Sequence, residues 1–210
     1  MLTSHEPVAL LNPFERDRDP HSPNRNLTPL TTGLDREGRL VVGGCLLSDL
    51  ARDYGTPLYV LDEATLRGTC RAYREALAQH YPGQALAIYA SKANSSLAIT
   101  ALVASEGLGL DAVSAGELLT ALQGGMPAER IVLHGNNKSI EELKMALDAD
   151  VQHIVVDNFD ELDRLDALHA SGAKRARVQL RITPGVAVHT HEFVSTGQDD
   201  SKFGFNLRNG

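Results

Sequence analysis

The 210-residue sequence has little cysteine, no long apolar run and no excess of positive charge. Its two cysteines, Cys45 and Cys70, lie far apart and match no metal or redox spacing, so we expect reduced thiols in a cytoplasmic protein. No apolar run approaches the roughly 20 residues of a membrane span, and the N-terminus has no signal-peptide pattern. The formal net charge of -7 argues against nucleic acid or an anionic membrane as partner, because both bind basic patches.

The composition and the strand pattern divide the chain into three parts. Residues 1–28 are rich in Pro, Asn, Asp, Arg and His, which predicts a disordered or loosely attached arm. Residues 29–61 predict an N-terminal β segment, with strands at 39–42 and 57–61 and a short helix at 46–54 between them. The third part, residues 62–210, has a regular alternation of strands and helices.

The alternation begins with Asp62, which predicts the N-cap of a long amphipathic helix. Apolar, strand-like runs then start about 22 residues apart, and each but the last is followed by a helical pattern. Three helix starts have an acid three residues after the cap. Ser114 with Glu117 and Ser139 with Glu142 predict capping boxes, and Asn158 with Glu161 is a looser version. The strand-like runs are 86–89, 108–113, 131–134, 153–156 and 178–182.

Two α/β architectures fit this alternation, since both use parallel strands joined by helices. One is an open, doubly wound sheet of about five strands. The other is a (β/α)8 TIM-type barrel, of which residues 62–210 would supply about the first five strands. A dinucleotide-binding open sheet should have a glycine-rich loop after its first strand, and residues 91–96 contain no glycine. This absence favours the incomplete barrel, with the residue 29–61 segment as part of a second β-domain.

Lys92 follows the first strand of this series, at the edge where barrels and doubly wound sheets keep their chemistry. A desolvated lysine amine can lose its proton near neutral pH and form a Schiff base with a carbonyl. The alternative is a lysine whose stem packs on the sheet while its ammonium reaches water. Both interpretations of Lys92 stay open on position alone.

Polar residues also follow each later strand, so a lysine, a carboxylate, an imidazole and a guanidinium would share one edge. Each has a structural alternative: Asp111 could cap a turn, His134 could be a rim histidine, and Arg181 could pair with a carboxylate. No metal site is predicted, because Asp111 and His134 lack a third ligand. The strand-end residues are Lys92; Asp111 and Ser114; His134, Asn136 and Asn137; Asp157, to which no role is assigned, and Asn158; and Arg181 and Thr183.

A second polar run, 189–197, contains His189 and His191. Two histidines one residue apart suggest zinc, but the run is loop-like and no cysteine is near, so we predict no metal there either.

Several motifs, in order, resemble those of the alanine-racemase-like, pyridoxal-phosphate-dependent decarboxylases. The resemblance runs from about residue 40 to the end, and its last motifs are similar to the diaminopimelate decarboxylases in particular. The motifs are Tyr-Ala-Ser-Lys-Ala-Asn at 89–94, the run 109–117, His-Gly-Asn-Asn-Lys-Ser at 134–139, Arg-Ile-Thr-Pro-Gly at 181–185, His191, Thr196-Gly197, and Ser-Lys-Phe-Gly at 201–204.

The resemblance implies a (β/α)8 barrel joined to a β-domain that takes strands from both chain ends. It implies that Lys92 holds pyridoxal 5'-phosphate, with Asp111, His134 and Arg181 among the cofactor-binding residues. Lys202 would serve loop or interface contacts. The implied reaction is decarboxylation of meso-2,6-diaminopimelate to L-lysine, the last step of lysine biosynthesis, by a cytoplasmic homodimer that acts on a small amino acid.

The family also has motifs that do not occur between Arg181 and Gly210. These are a ring-stacking histidine, a glycine-rich phosphate loop, a Glu-Pro-Gly-Arg-like segment and a cysteine-bearing segment. We therefore expect an N-terminal part of such an enzyme, inactive in isolation. Two alternatives remain: a related ornithine or arginine decarboxylase, and a non-catalytic homologue that binds pyridoxal phosphate or has a regulatory role.

Overall fold

The computed structural model describes residues 28–185 and 203–207. The chain divides into two compact units, with the boundary between Tyr73 and Arg74. The predicted arm, apart from Thr28, lies outside the described residues, as do the 189–197 run and Lys202. Within the described ranges, no helix has both the length and the apolar character that crossing a membrane requires.

The first unit contains a small antiparallel sheet in the order β1-β2-β3. The strand predicted at 39–42 and the helix predicted at 46–54 are both present, each within about one residue of the expected limits. A long helix then begins at Glu63, as expected. The elements are β1 (Gly33–Leu34), β2 (Leu40–Val42), β3 (Cys45–Leu46), α1 (Leu47–Tyr54) and α2 (Glu63–His80).

The strand predicted at 57–61 is wrong. These residues form neither strand nor helix, and the Tyr59 side chain is 97% exposed. The apolar and aromatic composition satisfies strand propensity, but a strand also needs a neighbour with which to share backbone hydrogen bonds. None of the described strands pairs with this segment.

Asp62 is the predicted cap of α2, and its carboxylate has two roles in the first unit. One oxygen, Oδ2, accepts the Thr65 amide hydrogen bond at 2.9 Å, and the other, Oδ1, accepts the Thr31 hydroxyl at 2.8 Å. Thr31 Oγ1 in turn accepts the Gly43 amide at 2.8 Å. Burial raises the pKa of Asp62, but the hydrogen bonds from Thr65 and Thr31 together outweigh it and hold the pKa below its usual range.

The second unit is built on a five-stranded parallel sheet whose strands follow chain order, β4-β5-β6-β7-β8. A doubly wound sheet reverses its strand order at a switch point, whereas a barrel adds strands in sequence. The unbroken order therefore identifies the sheet as part of a (β/α)8 TIM-type barrel. The strands are β4 (Ile88–Ala90), β5 (Gly109–Ala112), β6 (Ile131–Leu133), β7 (His153–Val156) and β8 (Val178–Leu180).

One face of this sheet is covered by helices and forms the core of the unit. Strand side chains on this face are almost fully buried because successive residues of a strand point to opposite sides. Leu180 of β8 is 54% exposed, because no described helix covers that strand. The helices are α3 (Leu97–Ser105), α4 (Ala115–Gln123), α5 (Ile140–Ala149) and α6 (Phe159–Ala170), and the buried strand residues are Leu110, Ala112, Ile131, Leu133, Ile154 and Val156.

The last predicted strand, 178–182, is interrupted at Arg181. A short strand, β9 (Ile182–Thr183), follows and pairs in parallel with β10 (Phe205–Asn206). The Phe205 amide donates to the Arg181 carbonyl at 2.7 Å. This pairing brings the Phe203-Gly204 part of the last sequence motif to the end of β8.

Candidate functional site

The face of the sheet opposite the helices lines a cleft of about 340 Å³. Its walls are residues that alternate with the buried core positions, so strand geometry alone sets which side chains reach it. The polar groups nearest the carboxyl ends of the strands are Asp111 and His134, and the apolar residues among the lining include Ile88, Ala90 and Val132.

Lys92 lies in a single 3-10 turn, Ser91–Ala93, directly after β4. Ala90, two residues earlier, lines the cleft. The Lys92 side chain is exposed, and no hydrogen bond or ion pair joins its ammonium to another residue of the described ranges. The amine is thus accessible to an incoming carbonyl compound, but it is exposed rather than desolvated, as in the alternative in which the ammonium reaches water.

The turn that carries Lys92 is anchored by its neighbour Ser91, which is 1% exposed. Ser91 Oγ lies 2.7 Å from the Asp111 carbonyl oxygen and 2.7 Å from Oε2 of Glu117. The hydroxyl carries one proton, so it donates to one of these acceptors at a time. The contact ties the end of β4 to the end of β5, and hence Lys92 to the strand that carries Asp111.

Asp111 and His134 form a pair across β5 and β6. Asp111 Oδ1 and His134 Nδ1 are 2.9 Å apart, and the His134 amide donates to the Ala112 carbonyl at 2.7 Å. An ionised carboxylate only accepts hydrogen bonds, so Nδ1 carries the proton in this contact and Nε2 is left as the second ring nitrogen. Asp111 therefore orients an imidazole, which the turn-capping alternative did not include.

Arg181 contacts a carboxylate and an aromatic ring. Its Nη1 lies 3.3 Å from Oδ1 of Asp157, and its guanidinium carbon is 4.2 Å from the centroid of the Phe203 ring. Asp157, only 2% exposed, also accepts the Gly204 amide through Oδ2 at 3.0 Å. A Cβ at Gly204, whose φ is +75°, would lie 2.7 Å from the Arg181 carbonyl oxygen, so glycine is required there.

The sequence pattern predicts no role for Asp157 and no burial of Lys138. The Lys138 side chain is 2% exposed, and its ammonium forms an ion pair with Glu161 Oε1 at 2.6 Å. It also donates to the carbonyl oxygens of Gly135 at 2.6 Å and Val155 at 2.7 Å. A charged residue in an otherwise polar loop carries no sequence signal of burial, so only the fold reveals this contact.

The three capping acids do more than cap. Glu142 completes a capping box with Ser139, whereas the carboxylates of Glu117 and Glu161 accept the amides of the residues that precede their caps. Each acid also reaches the previous strand–helix unit: Glu117 contacts Ser91, Glu142 accepts the Ala115 amide at 3.0 Å, and Glu161 pairs with Lys138. An acid three residues after the cap therefore recurs in three consecutive units. Capping accounts for its position but not for its contact with the previous unit.

The structure thus brings together two of the four predicted cofactor-binding residues, Asp111 and His134. Lys92 follows the adjacent strand and is linked to Asp111 through Ser91. No described contact joins Arg181 to these three residues; its partners lie around Asp157. Of the other strand-end residues, Ser114 accepts the Glu117 amide, Thr183 donates its hydroxyl to the Phe203 carbonyl, and Asn158 contacts the Asn136 carbonyl.

Residues 63–209 match the family described as pyridoxal-dependent decarboxylase, pyridoxal binding domain. The chain is 47% identical over 193 residues to a diaminopimelate decarboxylase of Synechocystis sp., covering 88% of this chain and 41% of that protein. It is 50% identical over 180 residues to the diaminopimelate decarboxylase of Bacillus subtilis, with 86% and 41% covered. The chain thus spans about two fifths of the length of these relatives.

Solved structures give the same result at the level of the fold. The crystal structure of diaminopimelate decarboxylase from M. jannaschii superposes with a TM-score of 0.77 at 36% sequence identity. The superposition covers 86% of this chain and 42% of that one. A second crystal structure of that enzyme, in complex with L-lysine, matches equally well.

Proposed function

Because the chain belongs to the pyridoxal-dependent decarboxylase family and contains its pyridoxal binding domain, we propose that it binds pyridoxal 5'-phosphate through Lys92. The observation that carries this proposal is the accessible Lys92 amine at the end of β4, which has no partner among the described residues and is tied by Ser91 to the strand of Asp111. We further propose that the complete protein decarboxylates an amino acid.

The described residues fit this cofactor on three grounds. Its aldehyde needs an amine, and Lys92 is the strand-end lysine without a described partner. Its aromatic ring needs a cleft with apolar walls, and Ile88, Ala90 and Val132 line one of about 340 Å³. Its polar substituents need nearby donors and acceptors, and the Asp111–His134 pair lies in the same cleft.

The residues have distinct roles in this proposal. When bound, pyridoxal phosphate supplies an electron sink for cleavage of a bond at the α-carbon of an amino acid. Lys92 Nζ holds the cofactor covalently and keeps it at the carboxyl end of β4. Asp111 keeps the proton on His134 Nδ1, which fixes the orientation of the imidazole. Arg181 is held by Asp157 at Nη1, and its other guanidinium donors have no described partner.

We propose meso-2,6-diaminopimelate as the substrate and L-lysine as the product. The support is the identity of 47% and 50% to two proteins named diaminopimelate decarboxylase, and the match to a structure of such an enzyme with L-lysine. The relatives extend well beyond the region matched here, so the assay belongs to the complete polypeptide that carries these residues.

The first test is attachment of the cofactor. The chain is incubated with pyridoxal phosphate, reduced with borohydride and mapped by peptide mass spectrometry. The adduct is expected on the peptide that contains Lys92 and is expected to be lost in Lys92→Ala. Lys144→Ala, which removes an exposed lysine on α5, is the matched control and should retain it. Adduct spread evenly over surface lysines would contradict the proposal.

The second test is release of CO2 from labelled meso-diaminopimelate by the complete protein. Turnover with diaminopimelate and not with ornithine or arginine supports the proposed substrate. Turnover with ornithine or arginine instead would identify the related decarboxylases. An adduct on Lys92 without any CO2 release would contradict decarboxylation and identify a non-catalytic protein that binds the cofactor.

The remaining sequence predictions stay proposals. We propose that residues 29–61 belong to a β-domain distinct from the barrel of residues 62–210, supported by the antiparallel pairing of β1 to β3. We propose a homodimer for the complete protein, on family resemblance alone, and a cytoplasmic location, supported by the two free cysteines. Size measurement of the complete protein tests the dimer.

A further inference from the structure

Lys138 is a deeply buried charged residue at the carboxyl edge of the sheet, 2% exposed like Asp157 and Glu161. The ammonium donates hydrogen bonds to the Gly135 and Val155 carbonyls at 2.6 and 2.7 Å, and it forms an ion pair with Glu161 Oε1 at 2.6 Å. The backbone of Lys138 is also held, because Arg164 donates to its carbonyl at 2.8 Å. None of the proposed steps at Lys92 uses this group.

Its three acceptors belong to three successive elements. Gly135 directly follows His134, Val155 lies in β7, and Glu161 lies in the first turn of α6. The loop after β6 needs such a fixed point, because Gly135 has a φ of +117° and the segment 134–139 is neither strand nor helix. Lys138 therefore fixes the chain just beyond His134 by its bond to the Gly135 carbonyl.

The Lys138 ammonium is also connected to Arg181, through Glu161 and Asp157. Glu161 holds Lys138 with one oxygen and accepts the Asp157 amide with the other, at 3.1 Å. Asp157 in turn holds Arg181 and the Gly204 amide. A continuous series of contacts thus joins the residue after His134 to the residue that holds Arg181.

Burying such a pair is expensive, and apolar residues of similar volume would serve stability as well or better. What the charges add is a single geometry, because three acceptors must converge on one nitrogen. We propose that Lys138 is a positioning residue that sets the orientation of His134 against Asp111 and, through Glu161 and Asp157, the place of Arg181. The part of this proposal that concerns the cofactor rests on the proposed function.

The test measures the tautomer of the His134 ring directly, in the absence of cofactor. Histidine is labelled with 15N in the full 210-residue chain, and the ring signals of His134 are assigned by their loss in His134→Gln. In the wild type, the ring shifts should report a proton on Nδ1 bonded to Asp111. In Lys138→Met, the two ring nitrogens should move toward the averaged shifts of an imidazole that exchanges between tautomers.

Leu147→Ala is the matched control. Leu147 is 5% exposed in α5 and lines a small cleft with Asp150 and Val151, at the amino end of β7 and away from His134. This variant loses stability by opening a cavity, yet its His134 ring shifts should equal those of the wild type. Wild-type shifts in folded Lys138→Met, or equal changes in both variants, would overturn the proposal.

Lys138→Met leaves Glu161 buried without its partner and could unfold the chain. The double variant Lys138→Met/Glu161→Gln removes both charges and keeps an acceptor for the Asp157 amide, so it should fold. It should show the same displaced His134 shifts as the single variant. A folded double variant with wild-type shifts contradicts positioning by Lys138.

Cofactor binding gives a second and separate result. With the proposed function correct, Lys138→Met should weaken capture of pyridoxal phosphate by Lys92 about tenfold or more, while Leu147→Ala leaves it unchanged in the folded chain. Displaced His134 shifts in a chain whose wild type captures no cofactor would refute the proposed function and leave the positioning role intact. Unchanged shifts with normal capture would refute only the positioning role.

Discussion

Two lysines follow two strands of the same sheet, and their surroundings are opposite. Lys92, after β4, is exposed and has no partner among the described residues. Lys138, in the loop after β6, is 2% exposed and has three acceptors, one of them a carboxylate. The loop of Lys92 is instead held by its neighbour, Ser91.

The difference shows how one edge of the sheet provides both an exposed amine and a rigid support. An amine that attacks a carbonyl must be able to move, whereas two short hydrogen bonds and an ion pair hold the Lys138 nitrogen in place. Lys138 has the contacts of a structural cation, whereas Lys92 has the freedom that the proposed reaction needs. Ser91 keeps the backbone of Lys92 in place without occupying its nitrogen.

The largest effect expected from this comparison is on stability. Lys138→Met should lower the free energy of unfolding by about 3–5 kcal/mol, because it leaves the Glu161 carboxylate buried and unpaired. Lys92→Met should change it by no more than about 0.5 kcal/mol, since the side chain is exposed and has no partner in the described part of the chain. Urea unfolding followed by circular dichroism measures both. Equal losses in the two variants would remove the distinction between the lysines.

The next effect concerns the support of the Lys92 turn. Ser91→Ala should cost about 1–3 kcal/mol, because the buried hydroxyl bridges the Asp111 carbonyl and Glu117. Ser96→Ala is the control in the same loop, since Ser96 is exposed and makes no side-chain capping bond. It should lie within about 0.5 kcal/mol of the wild type. A loss no larger than that of the control would show that Ser91 does not anchor the turn.

The smallest expected effect is the loss of stability on replacing Asp62, whose carboxylate has hydrogen bonds but no cation as partner. The Asp62 carboxylate is bonded by the neutral donors of Thr31 and Thr65, whereas Glu161 faces the Lys138 cation. Asp62→Asn should therefore cost only about 1 kcal/mol at neutral pH, the scale of one hydrogen bond.

The pH dependence of this loss has a definite sign. The folded pKa of Asp62 lies below its ordinary value of 3.8, so the unfolded chain binds the proton first as the pH falls. The advantage of the wild type over Asp62→Asn is then complete above about pH 4 and disappears as the pH falls from 3.8 through the folded pKa. Unfolding at pH 7 and at pH 3 measures it; a difference that grows in acid would contradict the assignment.

Much of this arrangement could be predicted from sequence because it depends on local periodicity. The apolar runs and caps gave the strands β4 to β8 and the helices α3 to α6, since both patterns follow from backbone geometry within a few residues. The position of Lys92, Asp111 and His134 at one edge followed from the same alternation. The strand expected at 57–61 failed because pairing depends on a partner that composition does not reveal.

The candidate site was predictable only in part. Asp111 and His134 were correctly predicted to lie at the same edge of the sheet, where Asp111 Oδ1 and His134 Nδ1 are 2.9 Å apart. The roles of Ser91, Asp157 and the buried Lys138–Glu161 pair were not predicted, because serine, aspartate and lysine in a polar loop are ordinarily exposed. Their burial depends on how neighbouring strand–helix units pack.

The sequence by itself determined the alternation of strands and helices, the family resemblance and the position of Lys92 directly after a strand. These properties depend on short segments, because a strand, a cap or a motif is specified by residues that are close together in sequence. The tertiary structure alone decided which of two strand-end lysines is exposed and which is buried. That choice depends on acceptors from residues 3 to 23 positions away along the chain, which meet a lysine nitrogen only after parallel strands have aligned their carboxyl ends.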